Sequence, residues 1–239
     1  MKYILLLLFM MFPLSAGAEI FAASEYLSEL QKVEKSKRPL SMENLYARGQ
    51  EVCDELADSL DGMDEREIIR SSNTLRGVNI WTSEPSGAGV NAAFMLALAR
   101  RNGKKADREF FSIIKDERRP RGGDVYTTPF TDLSGCSALG SGVFVKFYGR
   151  WAGFKAKYPE SYSDAAQEAM QNIEDALRRA SCICGGREKA LEELKTFMES
   201  FPETPAMEDL AERSVQFRKS AGGITFDCKQ SAERDPADE

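Results

Sequence analysis

Residues 163–201 read SDAAQEAMQNIEDALRRASCICGGREKALEELKTFMESF, and this stretch decides the fold. Ala166, Ala169, Met170, Ile173, Leu177 and Ala180 recur at steps of three and four, the spacing that gathers apolar side chains on one face of an α-helix. Ser163 offers a hydroxyl cap for a helix over 164–180. Ala190, Leu191, Leu194, Phe197 and Met198 repeat the pattern over 187–201. Between the two lies a tight connector, 182–186, that opens with Cys182-Ile183-Cys184. Two amphipathic helices around a pair of cysteines predict a mainly α, disulfide-stapled protein.

Outward from there the helical period continues. Val143, Phe147, Trp151, Phe154 and Tyr158 mark a helix over 143–158, in which Gly149 and Gly153 stand one turn apart, a spacing that suits close helix packing. Pro202 and Pro205 separate the 187–201 helix from a last helix, 207–217, which a short extended segment, 224–228, follows. On the other side, 126–142 is the least helical stretch, rich in Thr, Ser and Gly, and serves either as a binding cleft or as a connector held at Cys136. Ala106, Phe110, Ile113 and Ile114 mark another helix, and 91–101 is apolar nearly all round, which predicts a central helix. Residues 78–82 lean towards a strand, followed by a turn-rich loop at 84–89.

The first part of the chain is helical too. Ile20 to Val33 carry one apolar stripe; Ser41 caps a helix burying Leu45, Val52, Cys53, Leu56 and Leu60; a shorter helix over 64–75 places Ile68, Ser72 and Leu75 on one side. The expected architecture is a multi-helix orthogonal bundle with short β segments. It forms a single helical domain over 19–230, followed by a disordered acidic tail at 231–239.

The N-terminal end carries an address. Lys2, an unbroken apolar run from Ile4 to Phe12, Pro13 and the small residues Ala16-Gly17-Ala18 compose a cleavable secretory signal, with the cut before Glu19. The run is too short for a membrane span of about 20 residues, and the best later stretch, Val90 to Ala99, meets Arg100-Arg101 well before that length. A soluble periplasmic or secreted protein is expected. Cleavage of 18 residues from 239 leaves 221 and removes one lysine, so 31 basic residues face 38 acidic ones, a net charge of -7. That balance disfavours nucleic acid as a partner, since phosphate attraction supplies most of such affinity.

The chain contains no histidine. Ser-His-Asp and Cys-His nucleophiles, histidine zinc sites and histidine haem ligation are thereby excluded. Ser112-Ile113-Ile114-Lys115 matches the S-x-x-K pattern of serine acylases, but the companion motifs are missing: Lys195-Thr196 is followed by Phe197. Seven acidic residues between Asp54 and Glu67 read as a solvated helix face, and nine basic residues between Arg100 and Arg121 either face them or meet a partner. No catalytic residue, cofactor or metal ligand is assigned.

Cys53, Cys136, Cys182, Cys184 and Cys228 are the disulfide candidates of an oxidising compartment. A bond between Cys182 and Cys184 would close a strained ring, so one or both are expected to staple the connector to Cys228, Cys136 or Cys53, and Cys228 is expected in a long-range bond to Cys182 or Cys184. An odd count leaves one thiol, or joins two chains as a homodimer.

The order Cys136, Gly142-Val143, Cys182, Cys184, Leu191, Leu194, Phe197, Phe201-Pro202-Glu203, Leu210 and Cys228 resembles that of helical periplasmic immunity proteins that block type VI secretion amidase effectors. The resemblance covers residues 136–228. It implies a disulfide-bonded helical scaffold that binds an enzyme and catalyses nothing. The function expected is therefore an exported protein that binds another protein or an envelope component. The alternatives are a Ser/Lys- or carboxylate-based envelope hydrolase and a structural envelope protein.

Overall fold

The structure is a computed structural model that describes residues 21–82, 86–119, 123–130, 134–219 and 223–228. The signal read at 1–18 and the tail read at 231–239 lie outside the described residues. The chain runs α1 (Phe21–Lys35), α2 (Glu43–Ser59), α3 (Glu65–Thr74), β1 (Val78–Trp81), β2 (Gly87–Val90), α4 (Ala92–Asn102) and α5 (Lys105–Glu117). It continues through β3 (Thr127–Pro129), β4 (Gly135–Ser137), α6 (Val143–Lys157), α7 (Ser163–Arg179), α8 (Arg187–Ser200) and α9 (Met207–Lys219). The architecture is mainly α, with two small antiparallel hairpins, β1–β2 and β3–β4. No helix among the described residues is long and apolar enough to cross a membrane.

Neighbouring helices pack in pairs, α1 with α2, α4 with α5, α6 with α7 and α8 with α9, while α5–α6 and α6–α8 contacts join the pairs. The apolar stripes meet in one core in which Phe110, Phe144, Phe154, Ile173, Leu194 and Phe197 are fully covered. Its aromatic centre is Phe110, stacked on Tyr162 at 3.8 Å and edge-on to Trp151 at 5.6 Å. Offset and edge-on pairs of this kind add about 0.5–1.5 kcal/mol each beyond the area they bury.

Three buried carboxylates tie the helices together. Asp107 accepts hydrogen bonds from the Met42 and Lys104 amides, at 3.0 and 2.6 Å, and from the Tyr162 hydroxyl at 2.7 Å. One side chain of α5 therefore serves the starts of both α2 and α5, which corrects the expectation that Ser41 caps α2: Met42 holds the cap position and the Ser41 hydroxyl only reaches the Glu43 amide at 3.5 Å. The Ser163 cap is likewise not found. Tyr162 precedes α7 in a left-handed conformation (φ 52°), and its amide donates to Glu43 Oε1 at 2.8 Å. Glu174 accepts from the hydroxyls of Tyr148 and Thr204, at 2.7 and 2.6 Å, linking α6 and α7 to the turn before α9. Burial, first, pushes the Tyr148 hydroxyl up to about 12.

Glu193 of α8 is the third. It accepts from the amides of Gly140, Gly142 and Phe144 at 2.5, 3.0 and 3.0 Å, so a carboxylate fills the donor-rich start of α6. Gly140 and Gly142 sit at φ +96° and +82°, a conformation that glycine adopts without the Cβ clash other residues meet.

The cysteines follow from the same corner. Residues 182–184 lie between β4 and Thr225: the Ser137 amide donates to the Cys182 carbonyl, and the Ile183 amide donates to the Thr225 carbonyl. Residues two apart in an extended stretch share a side. Cys184 meets Cys136 and Cys182 meets Cys228, with Cα separations of 5.0 and 6.0 Å, while Ile183 points into the core at 0% exposure. Cys53 is not a partner. It is a buried thiol on α2, and burial pushes it up to about 12.

Several expectations need correction. The loop read at 84–89 contributes its second half to β2, which pairs with β1 and sets Trp81 opposite Gly87. α4 is not apolar-buried all round, since Ala93 and Ala97 face solvent. α3 buries none of its own residues, and only Leu75 beyond its end is covered. Within 126–142 the chain forms the β3–β4 hairpin. The segment at 224–228 is extended only around Thr225, because Asp227 turns at φ 56°. Gly153 supports no close packing, for a Cβ there would meet nothing within 4 Å.

Candidate functional site

A depression of about 1150 Å³ among the described residues lies where α2, the β1–β2 hairpin, α5, α6 and α7 converge. Its floor is Phe110, Ile114 and Trp151. Its rim carries Trp81, Arg118 and Arg119 on one side and Glu168 of α7 on the other.

Each rim group has a local cause. Trp81 ends β1, and its indole lies across β2, where a Cβ on Gly87 would come within 2.6 Å of the ring. The Gly87-Ala88-Gly89 sequence therefore makes the bed for an aromatic side chain on the adjacent strand. Arg118 and Arg119 follow the end of α5, where the Arg119 amide donates to the Gly123 carbonyl and the backbones of Arg118 and Asp124 pair in an antiparallel β-bridge. Asp124 Oδ1 in turn accepts from the amides of Tyr126 and Thr127 at 2.9 and 3.0 Å, a local turn that directs Tyr126 back towards α5. Tyr126 is the member of the 126–142 stretch that reaches the cleft; the hairpin beyond it is tied down through Cys136.

Glu117 is the most perturbed acid of the cleft. Its Oε1 accepts from the Tyr126 hydroxyl and its Oε2 from the Trp151 indole at 3.1 Å. Burial raises the carboxyl above the ordinary glutamate range, against the pull of those two donors and of Arg118. Tyr126 is pushed up as well, by burial and by the carboxylate it faces. Tyr46, edge-on to Phe110 at 5.0 Å, is raised by burial, while Arg118 acts in the opposite sense. Both Glu117 oxygens thus accept from aromatic donors of the fold, and the carboxylate orients Tyr126 and Trp151.

The sequence motifs fare unevenly. Ser112 and Lys115 are not brought together: Ser112 lines a separate groove and Lys115 lines the cleft. Phe197, after Lys195-Thr196, is core. The acidic run at 54–67 is solvent-exposed, and Asp64 and Glu67 form a reciprocal cap at the start of α3, with bonds of 2.9 and 3.0 Å. No ion pair among the described residues joins this run to the basic residues of 100–121, and the described residues hold no metal-ligating cluster. Trp81 and Glu117 escaped the sequence reading, and Arg118 entered it only as one of the nine basic residues of 100–121; the small residues at 87–89 beside a tryptophan strand were the available signal for Trp81.

No family model matches this chain, and neither does a curated protein or a solved structure.

Proposed function

We propose that this is an exported, disulfide-stapled helical protein that acts by binding another protein, in the manner of an immunity protein or inhibitor. The observation that carries the reading is the composition of the cleft rim. Trp81, Arg118 and Arg119 stand around a concave aromatic floor, and tryptophan, tyrosine and arginine are the side chains in which binding energy at protein interfaces concentrates. Two cysteine pairs at bonding distance agree with a periplasmic or secreted location.

Capture from an envelope extract tests it. The intact protein should retain a partner that Trp81→Ala and Arg118→Glu release. Failure of the intact protein to retain any partner would sink the reading. The second reading, a carboxylate-based envelope hydrolase, draws on the raised Glu117 carboxyl and on Glu168 across the same cleft. Turnover of peptidoglycan or ester substrates that disappears in Glu117→Gln would establish it in place of the first.

A further inference from the structure

α5 is two-sided. Phe110, Ile114 and Glu117 turn towards the cleft, whereas Lys105 and Arg108 turn to a second depression of about 690 Å³ between α4, α5 and α6. Arg100 of α4 and Arg150 and Lys157 of α6 complete its walls. The only carboxylate in the lining is Glu109. The chain as a whole carries a net charge of -6, so this groove inverts the sign of the surface locally.

Not all of this positive charge is neutralised from within. Glu109 pairs with Lys157 at 2.5 Å, and Asp116 pairs with Arg150 at 2.9 Å. Arg100, Lys105 and Arg108 are exposed and meet no carboxylate among the described residues. Gly149 and Gly153, one turn apart on α6, form the floor. A Cβ at Gly153 would meet nothing, and one at Gly149 would meet only the Phe201 ring edge at 3.4 Å. The glycines leave an open trough in which another chain's backbone can lie close to α6, instead of serving helix contact.

The shape and charge choose among anions. A concave site of this volume lies within the span of about 300–1,000 Å³ usual for bound ligands. A flat membrane would reach only its rim, and the large exposed apolar side chains, Ile69 and Val215, lie outside it. Duplex nucleic acid would be repelled by the net negative charge of the remaining surface. Guanidinium groups pair with carboxylates through two parallel hydrogen bonds. We propose that this groove docks an acidic segment of a partner protein, its carboxylates on Arg100, Lys105 and Arg108 and its backbone over Gly149 and Gly153. The proposal rests on the protein-binding reading but not on the cleft.

Fluorescence anisotropy of a labelled decaglutamate peptide titrated with the intact protein tests it. Saturable binding is expected, weaker as salt rises, about tenfold weaker in the Arg100→Glu/Arg108→Glu double variant and lost in Gly153→Leu, which fills the trough. Thermal unfolding of Gly153→Leu should be no lower than that of the unsubstituted protein, since leucine favours a helix over glycine; this separates blockage from misfolding. Arg66→Glu on α3 should bind like the unsubstituted protein. Absence of saturable binding, survival of binding in both groove variants, or preference for phosphatidylglycerol vesicles or duplex DNA would overturn the proposal. Groove-dependent peptide binding, alongside an extract partner that Trp81→Ala and Arg118→Glu retain as well as the intact protein does, would fault the cleft and spare the groove.

Discussion

Replacing Glu193 by alanine removes the acceptor of three backbone amides at the start of α6 and should be among the most damaging single changes in this protein. The side chain is 5% exposed, and its bonds to Gly140, Gly142 and Phe144 are 2.5, 3.0 and 3.0 Å long. A hydrogen bond to a charged group contributes about 1.5–3 kcal/mol. Three of them do not simply add, because burying the carboxylate costs several kcal/mol and water can reach the partly buried glycine amides once the side chain is gone. The buried Phe144 amide has no such replacement. A net loss of about 3–4 kcal/mol follows, a large part of the 5–15 kcal/mol by which domains are usually stable. Glu193→Gln keeps one acceptor oxygen but aims an amide donor at the other donors, so its cost should be smaller, about 1–2 kcal/mol. Urea unfolding followed by far-ultraviolet circular dichroism at neutral pH measures both. A loss below about 1 kcal/mol for alanine, or a glutamine variant less stable than the alanine one, would refute the capping argument. The effect bears on function, since α6 carries Trp151 of the cleft and the glycine floor of the groove.

The Cys53 thiol, buried and raised to about 12, should not react with a thiol reagent in the folded protein and should react once per chain after denaturation without reductant; prompt labelling of the native protein would show that the α2 face is open. Replacing Cys182 and Cys228 together by serine should cost about 4 kcal/mol by the chain-entropy relation for a separation of 46 residues, read from the shift in the urea midpoint; an unchanged midpoint would mean that this pair does not restrain the unfolded chain. The Glu117 carboxyl should titrate above the ordinary glutamate value of about 4.3 in a carbon-detected magnetic resonance titration. Its folded form holds the proton more tightly, so its contribution to stability is present below the unfolded value and is lost as pH rises through the raised one. A midpoint at or below the ordinary value would show that the Tyr126 and Trp151 donors outweigh burial.

The helices were legible because their information is local. Leu45, Val52 and Leu56, or Ile173 and Leu177, recur at the helical period and are all buried, and neither position needs knowledge of what covers it. Hairpin β1–β2 was only half legible. Val78 to Trp81 carry a strand composition, but Gly87 to Gly89 read as a turn, because their strand character comes from pairing and from the Trp81 ring that lies over them. The caps failed for a related reason. Ser41 and Ser163 are the residues a local rule selects, yet Asp107 lies 65 positions beyond the Met42 amide that it satisfies.

The sequence by itself determined the helical class, the export signal as an expectation, the exclusion of histidine chemistry, and that Cys182 and Cys184 do not bond to each other but that one or both reach a distant partner. These follow from composition, period and short-range geometry. Only the tertiary structure decided that Cys136 and Cys228 are those partners while Cys53 stays a thiol, that Ser112 and Lys115 face different depressions, and that the basic residues of α4, α5 and α6 surround one open trough. The physical reason is that a cleft, a disulfide and a field of like charges depend on distances between residues far apart in the chain. Such distances are set by how whole helices pack, and a local pattern of side chains does not carry them.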